Sequence, residues 1–265
     1  IIRGRALRLT DAGQHIQRAG KRAQHEVDRA LHEVQGPYKW TELLLRVAAG
    51  SLSAATLMPR ALAFLRDKDA GLRVVLIDRP VGMLGDLLLS GEADIAIGSI
   101  DSPLRLSADL RSELLLSDSL CVVCSRANAL AAPEGAAKRR VRWSDLQQTE
   151  LILVGRVGGQ WNSLLQDQLA AHPGLRVGHE VQLLSTALEL VRYDLGVAVL
   201  PRFATAHLDT GAFWTSALES QGSSWNTYWV TRKATKSKEA GADLLLEALR
   251  ASIPVGGARK AGNKR

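Results

Sequence analysis

Cysteine and methionine are scarce in this chain: each occurs twice among 265 residues, and aromatic residues make up 5% of the total. Two thiols exclude a disulfide-stapled scaffold and a closed four-thiolate zinc site. They stand in Leu120-Cys121-Val122-Val123-Cys124, which reads as a buried strand. Strand side chains alternate, so positions three apart face opposite ways, and both thiols are expected to be core groups in a reducing compartment. No apolar run approaches the roughly 20 residues of a membrane-spanning helix. Ile1-Ile2-Arg3 lacks a signal-peptide core, so export is not expected and a cytoplasmic location is; the start without methionine reads as a truncated one. His15, His25, His32, His172, His179 and His207 show no metal-ligand spacing. No serine has a nucleophile-elbow context. Gly155, Gly158 and Gly159 miss the dinucleotide-binding spacing. No enzyme, metal or cofactor is therefore expected.

What is present is charge at both ends. The formal net charge is +7, yet residues 1–39 and 254–265 each carry +4 and the stretch between them carries −1. The body is thus not a nucleic-acid surface, while the ends could meet phosphates.

Arg3, Arg5 and Arg8 lead into Thr10-Asp11, a capping hydroxyl and a first-turn acid, and then a helical pattern. Apolar residues recur at Ala12, Ile16, Ala19, Ala23, Val27, Ala30 and Val34, in steps of three and four. That rhythm predicts a helix over residues 11–35, stopped by Gly36-Pro37, whose seam needs a partner helix or its own domain. At 1.5 Å per residue it would run roughly 36 Å. The alanine-rich seam is weak glue.

From residue 43 strands alternate with helices. Strands are expected at Leu43–Ala49, Arg73–Asp78, Ala93–Gly98, Ser119–Cys124, Glu150–Val154, Arg176–Val181, Val197–Leu200 and Trp225–Arg232. Helices are expected at Ala54–Arg66, Gly82–Ser90, Gln160–Ala171, Ser185–Tyr193 and Ser237–Ala251. Continuous apolar strands between helices imply a parallel sheet covered on both faces, which binds ligands at its carboxyl edge. The theme occurs twice, giving an α/β protein of two lobes with a cleft. Residues 128–142 read as an exposed loop and residues 254–265 as a disordered basic tail.

These residues carry a resemblance. Arg5-x-x-Arg8-Leu9-Thr10-x-Ala12-Gly13 looks like the end of the winged helix-turn-helix and the start of the linker helix in LysR-type transcriptional regulators. The body resembles their effector-binding domain through Leu45-Arg46-Val47, Leu57-Met58-Pro59, Gly91-Glu92-Ala93-Asp94-Ile95, Asp118-x-Leu120 and Gly196-Val197-Ala198-Val199-Leu200-Pro201. The resemblance implies two Rossmann-like lobes of the type II periplasmic-binding-protein fold behind a long linker helix. It divides the chain into a wing remnant (1–10), the linker helix (11–39), lobe I (40–118 with 229–253), lobe II (119–228) and the tail, with crossings near Leu116–Leu120 and Trp225–Trp229. It implies a small-molecule effector, a carboxylate by class, together with DNA in the full-length protein and a homodimer or homotetramer, with no membrane partner. A transporter's solute-binding protein, sharing the fold, is the alternative. Departures from the family pattern are Leu52 where a serine or threonine is usual, and Asp194 where a glycine is usual.

The resemblance and the strand ends select Ser51, Leu52, Ser53, Ser99, Arg156 and Thr186 as effector-binding candidates. For each hydroxyl the competing role is helix capping; for Arg156 it is a solvated loop position. Arg5 and Arg8 would touch DNA phosphates, positioning rather than specifying.

Overall fold

The computed structural model of the chain describes residues 9–10, 12–13, 16–17, 19–21, 23–24, 27, 43–68, 71–100, 106–131, 140–155, 161–219, 224–233 and 239–253. Arg5, Arg8 and Arg156, the loop centre 132–139 and the basic tail lie outside the described residues. Those described between Ala12 and Val27 are all helical, and Thr10 Oγ1 accepts from Gly13 N–H at 3.1 Å, the cap expected of it.

The first strand, β1 (Leu43–Ala49), pairs in parallel with β2 (Leu72–Asp78) on one side and β3 (Ile95–Gly98) on the other. Its run is apolar apart from Arg46, because both faces are covered. Helix α1 (Ser51–Asp67) lays Leu57, Met58, Ala61 and Leu65 on one face, beside the last helix, α6 (Glu239–Ser252), with Leu245, Ala248 and Leu249. Leu84, Leu87 and Leu88 of the short α2 (Leu84–Ser90) pack with Ala48, Ala96 and Val230 in a second cluster. Each fully buried Leu or Met contributes about 1.5–3 kcal/mol.

Two further strands complete this sheet. They are β4 (Leu110–Asp118) and β11 (Trp225–Arg232), giving the order β2-β1-β3-β11-β4. The second sheet has the order β6-β10-β5-β9-β7-β8, from β5 (Leu120–Ser125), β6 (Val141–Arg142), β7 (Glu150–Val154), β8 (Arg176–Val181), β9 (Val197–Pro201) and β10 (Phe213–Glu219). Helices α3 (Trp161–Ala171), α4 (Leu184–Arg192) and α5 (Arg202–Thr205) belong to this half.

The expectation of parallel sheets needs correction. Both sheets are mixed: β11 runs antiparallel to β3 and β4, and β5 antiparallel to β9 and β10. These are the strands by which the chain enters each half directly from the other. No covering helix returns them to the starting edge, so they pair in the opposite sense. The first crossing is the single residue Ser119 between β4 and β5. The return falls between Glu219 and Trp225, earlier than Trp225–Trp229, because all of β11 lies in the first sheet.

Asp194 adopts φ 56°, the left-handed region that favours glycine. Its carboxylate accepts from Ser125 Oγ at 2.9 Å and Asn128 Nδ2 at 2.7 Å. Aspartate is among the few residues that visit this backbone region, and the two bonds to β5 and the turn after it hold it there in place of the usual glycine. Asp194→Ala keeps the strain and loses both bonds, so thermal denaturation should show a loss of about 1–2 kcal/mol. Asp194→Gly should fall closer to the parent, since relief of strain offsets the lost bonds.

Candidate binding cleft

Five parallel strands aim their carboxyl ends at one place. Gly50 follows β1, Pro80 and Val81 follow β2, Ser99 follows β3, Val154 ends β7 with Gly155 behind it, and Gln182 follows β8. Together with Ser51, Leu52, Ser53 and Trp225 they line a cleft of about 370 Å³, mouth included. The lining comes from both sheets, as a site between lobes requires.

Four sequence candidates meet here: Ser51, Leu52, Ser53 and Ser99. The capping role weighed for the serines is not the one observed. Helix α1 begins at Ser51 itself, and its N-cap is Gly50 (φ −66°, ψ 149°), which has no side chain to offer. A Cβ at Gly50 would lie 2.7 Å from Val81 Cγ2, so a larger residue there would displace Val81 from its place after β2. Ser51 Oγ instead accepts from Leu184 N–H at 3.1 Å, across the cleft. Ser53 is 2% exposed, and no hydrogen bond to its hydroxyl is formed among the described residues. Ser99 Oγ lies 3.3 Å from Thr227 Oγ1, which is wholly buried on β11 beside a register shift between Thr227 and Tyr228. Such irregularities re-aim side chains next to sites. Leu52 adds a largely buried apolar wall.

Thr186 is not brought to the cleft. It is exposed and absent from the lining. Helix α4 starts at Leu184, whose side chain is buried, and two residues at about 100° each turn Thr186 to solvent. Arg156 follows the lining residue Gly155 but lies outside the described residues. Pro80, Val81, Gln182 and Trp225 escaped the sequence reading. The first three follow strands that were themselves legible, so the strand-end rule applied to every strand would have found them; Trp225 arrives by topology.

The electrostatics favour an anion. Helices α1 and α4 both present their N-termini to the cleft, neither has an acid in its first turn, and no acidic residue is in the described lining. The free N–H groups and positive dipole ends stay unneutralised.

Neither cysteine takes part. Both are free and buried in β5. Burial, with the Asp194 carboxylate adding to it, pushes the Cys124 thiol up to about 12. Only a thiolate reacts, so Cys124 should resist alkylation in the native protein at about pH 8 and react once the chain is unfolded, as mass spectrometry of iodoacetamide adducts would read.

Two α/β halves joined by two crossings, with a cleft at facing strand ends, define a type II periplasmic-binding-like domain. The family profile of the LysR substrate binding domain matches residues 42–254, and the chain belongs to the LysR family of regulators. The HTH-type transcriptional regulator YfeR of Shigella flexneri, itself uncharacterized, is 27% identical over 198 residues, 74% of this chain and 61% of the relative. The chain thus spans less than two-thirds of that relative's length. A full-length OxyR variant from Pseudomonas aeruginosa superposes with a TM-score of 0.66 at 20% identity, covering 94% of this chain and 81% of that one. Full-length CbnR complexed with its target DNA gives a TM-score of 0.66 at 16% identity, covering 94% and 83%. At such identities the likeness is one of fold. The family match favours a regulator over the solute-binding alternative.

Among the described residues, no helix is long and apolar enough to cross a membrane.

Proposed function

We propose that this chain is the sensing part of a cytoplasmic LysR-type transcriptional regulator, which takes a small carboxylate between its two halves. The Ser53 hydroxyl carries this reading: almost wholly buried, without a partner among the described residues, and lining the cleft at the N-terminus of α1. A carboxylate there would accept from Ser53 and the first amides of α1. An effector that binds one arrangement of the halves better than another shifts the balance between them, which is all that signalling requires.

Two supports concern the rest of the assembly. Ile16 and Val27, on the expected helical seam, are 72% and 58% exposed, which fits a stalk that pairs with a second copy as homodimer or homotetramer. Arg5 and Arg8 then lie beside DNA in the full-length protein, and CbnR was solved with its target DNA.

Thermal shift and calorimetry with acetate, lactate and benzoate, each against its amide, should show saturable binding of the acid alone. Ser53→Ala should weaken that binding roughly tenfold or more, the value of a hydrogen bond to a charged group. Equal binding of the neutral amides, or binding of no acid, would refute the reading. Sedimentation should show dimers or tetramers.

A further inference from the structure

Helix α4 carries no cap of its own. Its N-cap residue, Leu183, has an apolar side chain, and its first turn holds no acid. Its leading amide, Leu184 N–H, is served by Ser51 Oγ from the other half at 3.1 Å. Ser51 in turn opens α1, a helix also without a side-chain cap. Two positive helix ends therefore face one another over a single neutral hydroxyl. Like ends repel; burial of Leu52 and Leu184 in one apolar cluster draws the two helix starts together, and the Ser51 hydroxyl supplies the polar contact between them. The halves are also tied at the crossing, where Asp118 Oδ2 accepts from Phe203 N–H at 2.6 Å and Ser119 O from Arg202 N–H at 2.9 Å. Those bonds sit at the pivot and would survive opening of the cleft. The Ser51 bond spans the mouth and would not.

We propose that Ser51 is a positioning residue, a latch that caps α4 from the opposite half and holds the cleft partly closed before any ligand arrives. The hydroxyl offsets the repulsion between the helix ends and keeps the amides of both within reach of one anion. A protein whose competent arrangement is already populated binds more tightly than one that must first close, so the latch raises effector affinity without touching the effector. This last step rests on the carboxylate reading; the latch itself does not.

The test is backbone hydrogen exchange of the full chain, followed at Leu184, Ser185 and Thr186, in the parent, Ser51→Ala and Ser51→Thr. Without ligand, Ser51→Ala should exchange roughly fivefold faster at Leu184, the worth of one neutral hydrogen bond, with β7 and β9 unchanged. Ser51→Thr keeps the hydroxyl and should restore protection. Saturating sodium acetate should protect these amides in parent and Ser51→Ala alike, with weaker acetate affinity in Ser51→Ala. Unchanged exchange at Leu184 in Ser51→Ala, a rise spread over the whole chain, or failure of Ser51→Thr to restore protection would each overturn the latch. If acetate protects neither protein while the ligand-free difference stands, the latch is supported and only the carboxylate reading falls.

Discussion

Asp94→Ala should lose about 3–5 kcal/mol of folding stability, the amount by which removing one partner of a buried ion pair destabilises a protein. Asp94 is 2% exposed at its side chain and Arg46 15%. The Asp94 carboxylate accepts from Arg46 Nη2 at 3.3 Å, from Arg46 Nε at 3.4 Å and from Arg46 backbone N–H at 2.9 Å. Asp94 N–H donates back to Arg46 O at 2.8 Å. The pair thus joins β1 to the entry of β3, the two central parallel strands whose ends build the cleft. Alanine would leave a guanidinium in a poorly solvated place and a backbone N–H without its acceptor. Replacing both partners, Arg46→Met with Asp94→Leu, should recover part of the loss, because the charge is then gone; the orphaned N–H should keep about 1–3 kcal/mol of it. Urea unfolding would show a lower midpoint at constant slope. A loss under about 1 kcal/mol for Asp94→Ala would mean that the pair is solvated in practice.

Asp118→Ala should also destabilise, with a dependence on pH that runs against the usual acidic pattern. Asp118 is 5% exposed at the crossing and accepts from Phe203 N–H at 2.6 Å and Ser119 N–H at 2.8 Å. Loss of the acceptor for the buried Phe203 amide alone should remove about 1–3 kcal/mol. Burial raises the carboxyl above its ordinary 3.8, outweighing the pull of both amides and of the Arg202 charge. A raised carboxyl holds its proton more tightly in the native state than in the unfolded chain. Its contribution is therefore fully present below 3.8 and is lost as pH rises through the folded value. The difference between parent and Asp118→Ala should widen on acidification from about pH 7 to about pH 4, measured as unfolding free energies across that range. A gap that narrows instead would show that the amides and Arg202 outweigh burial.

Much of the fold was legible because β1 and β7 are largely apolar runs ended by glycine, β8 alternates apolar with polar residues and β11 is rich in aromatic and β-branched residues, and the limits of all four match the expectation. Strands β4 and β10 were missed, since Leu110–Asp118 and Phe213–Glu219 interleave polar and apolar residues and expose part of one face. The direction of β5 and β11 could not be read at all, because pairing sense is set by which neighbour the chain meets in space. In the cleft, Ser51, Leu52, Ser53 and Ser99 were found from strand ends and resemblance together. The role of Ser51 was not, because its partner amide lies 133 positions away. A hydroxyl in a first helical turn reads as a cap for its own helix, and only the tertiary arrangement shows it serving another.

The position of β11 between β3 and β4 bears on how the protein is made. The six-stranded sheet draws its strands from one unbroken stretch, Leu120–Glu219, and can assemble as that stretch leaves the ribosome. The five-stranded sheet cannot, because its fourth member emerges last, after the whole other half. Until then β3 and β4 each present an open hydrogen-bonding edge to the nascent chain's surroundings. A nascent chain that has emerged only as far as Glu219 would thus display one finished half and one exposed, adhesive half, the form on which chaperones would be needed.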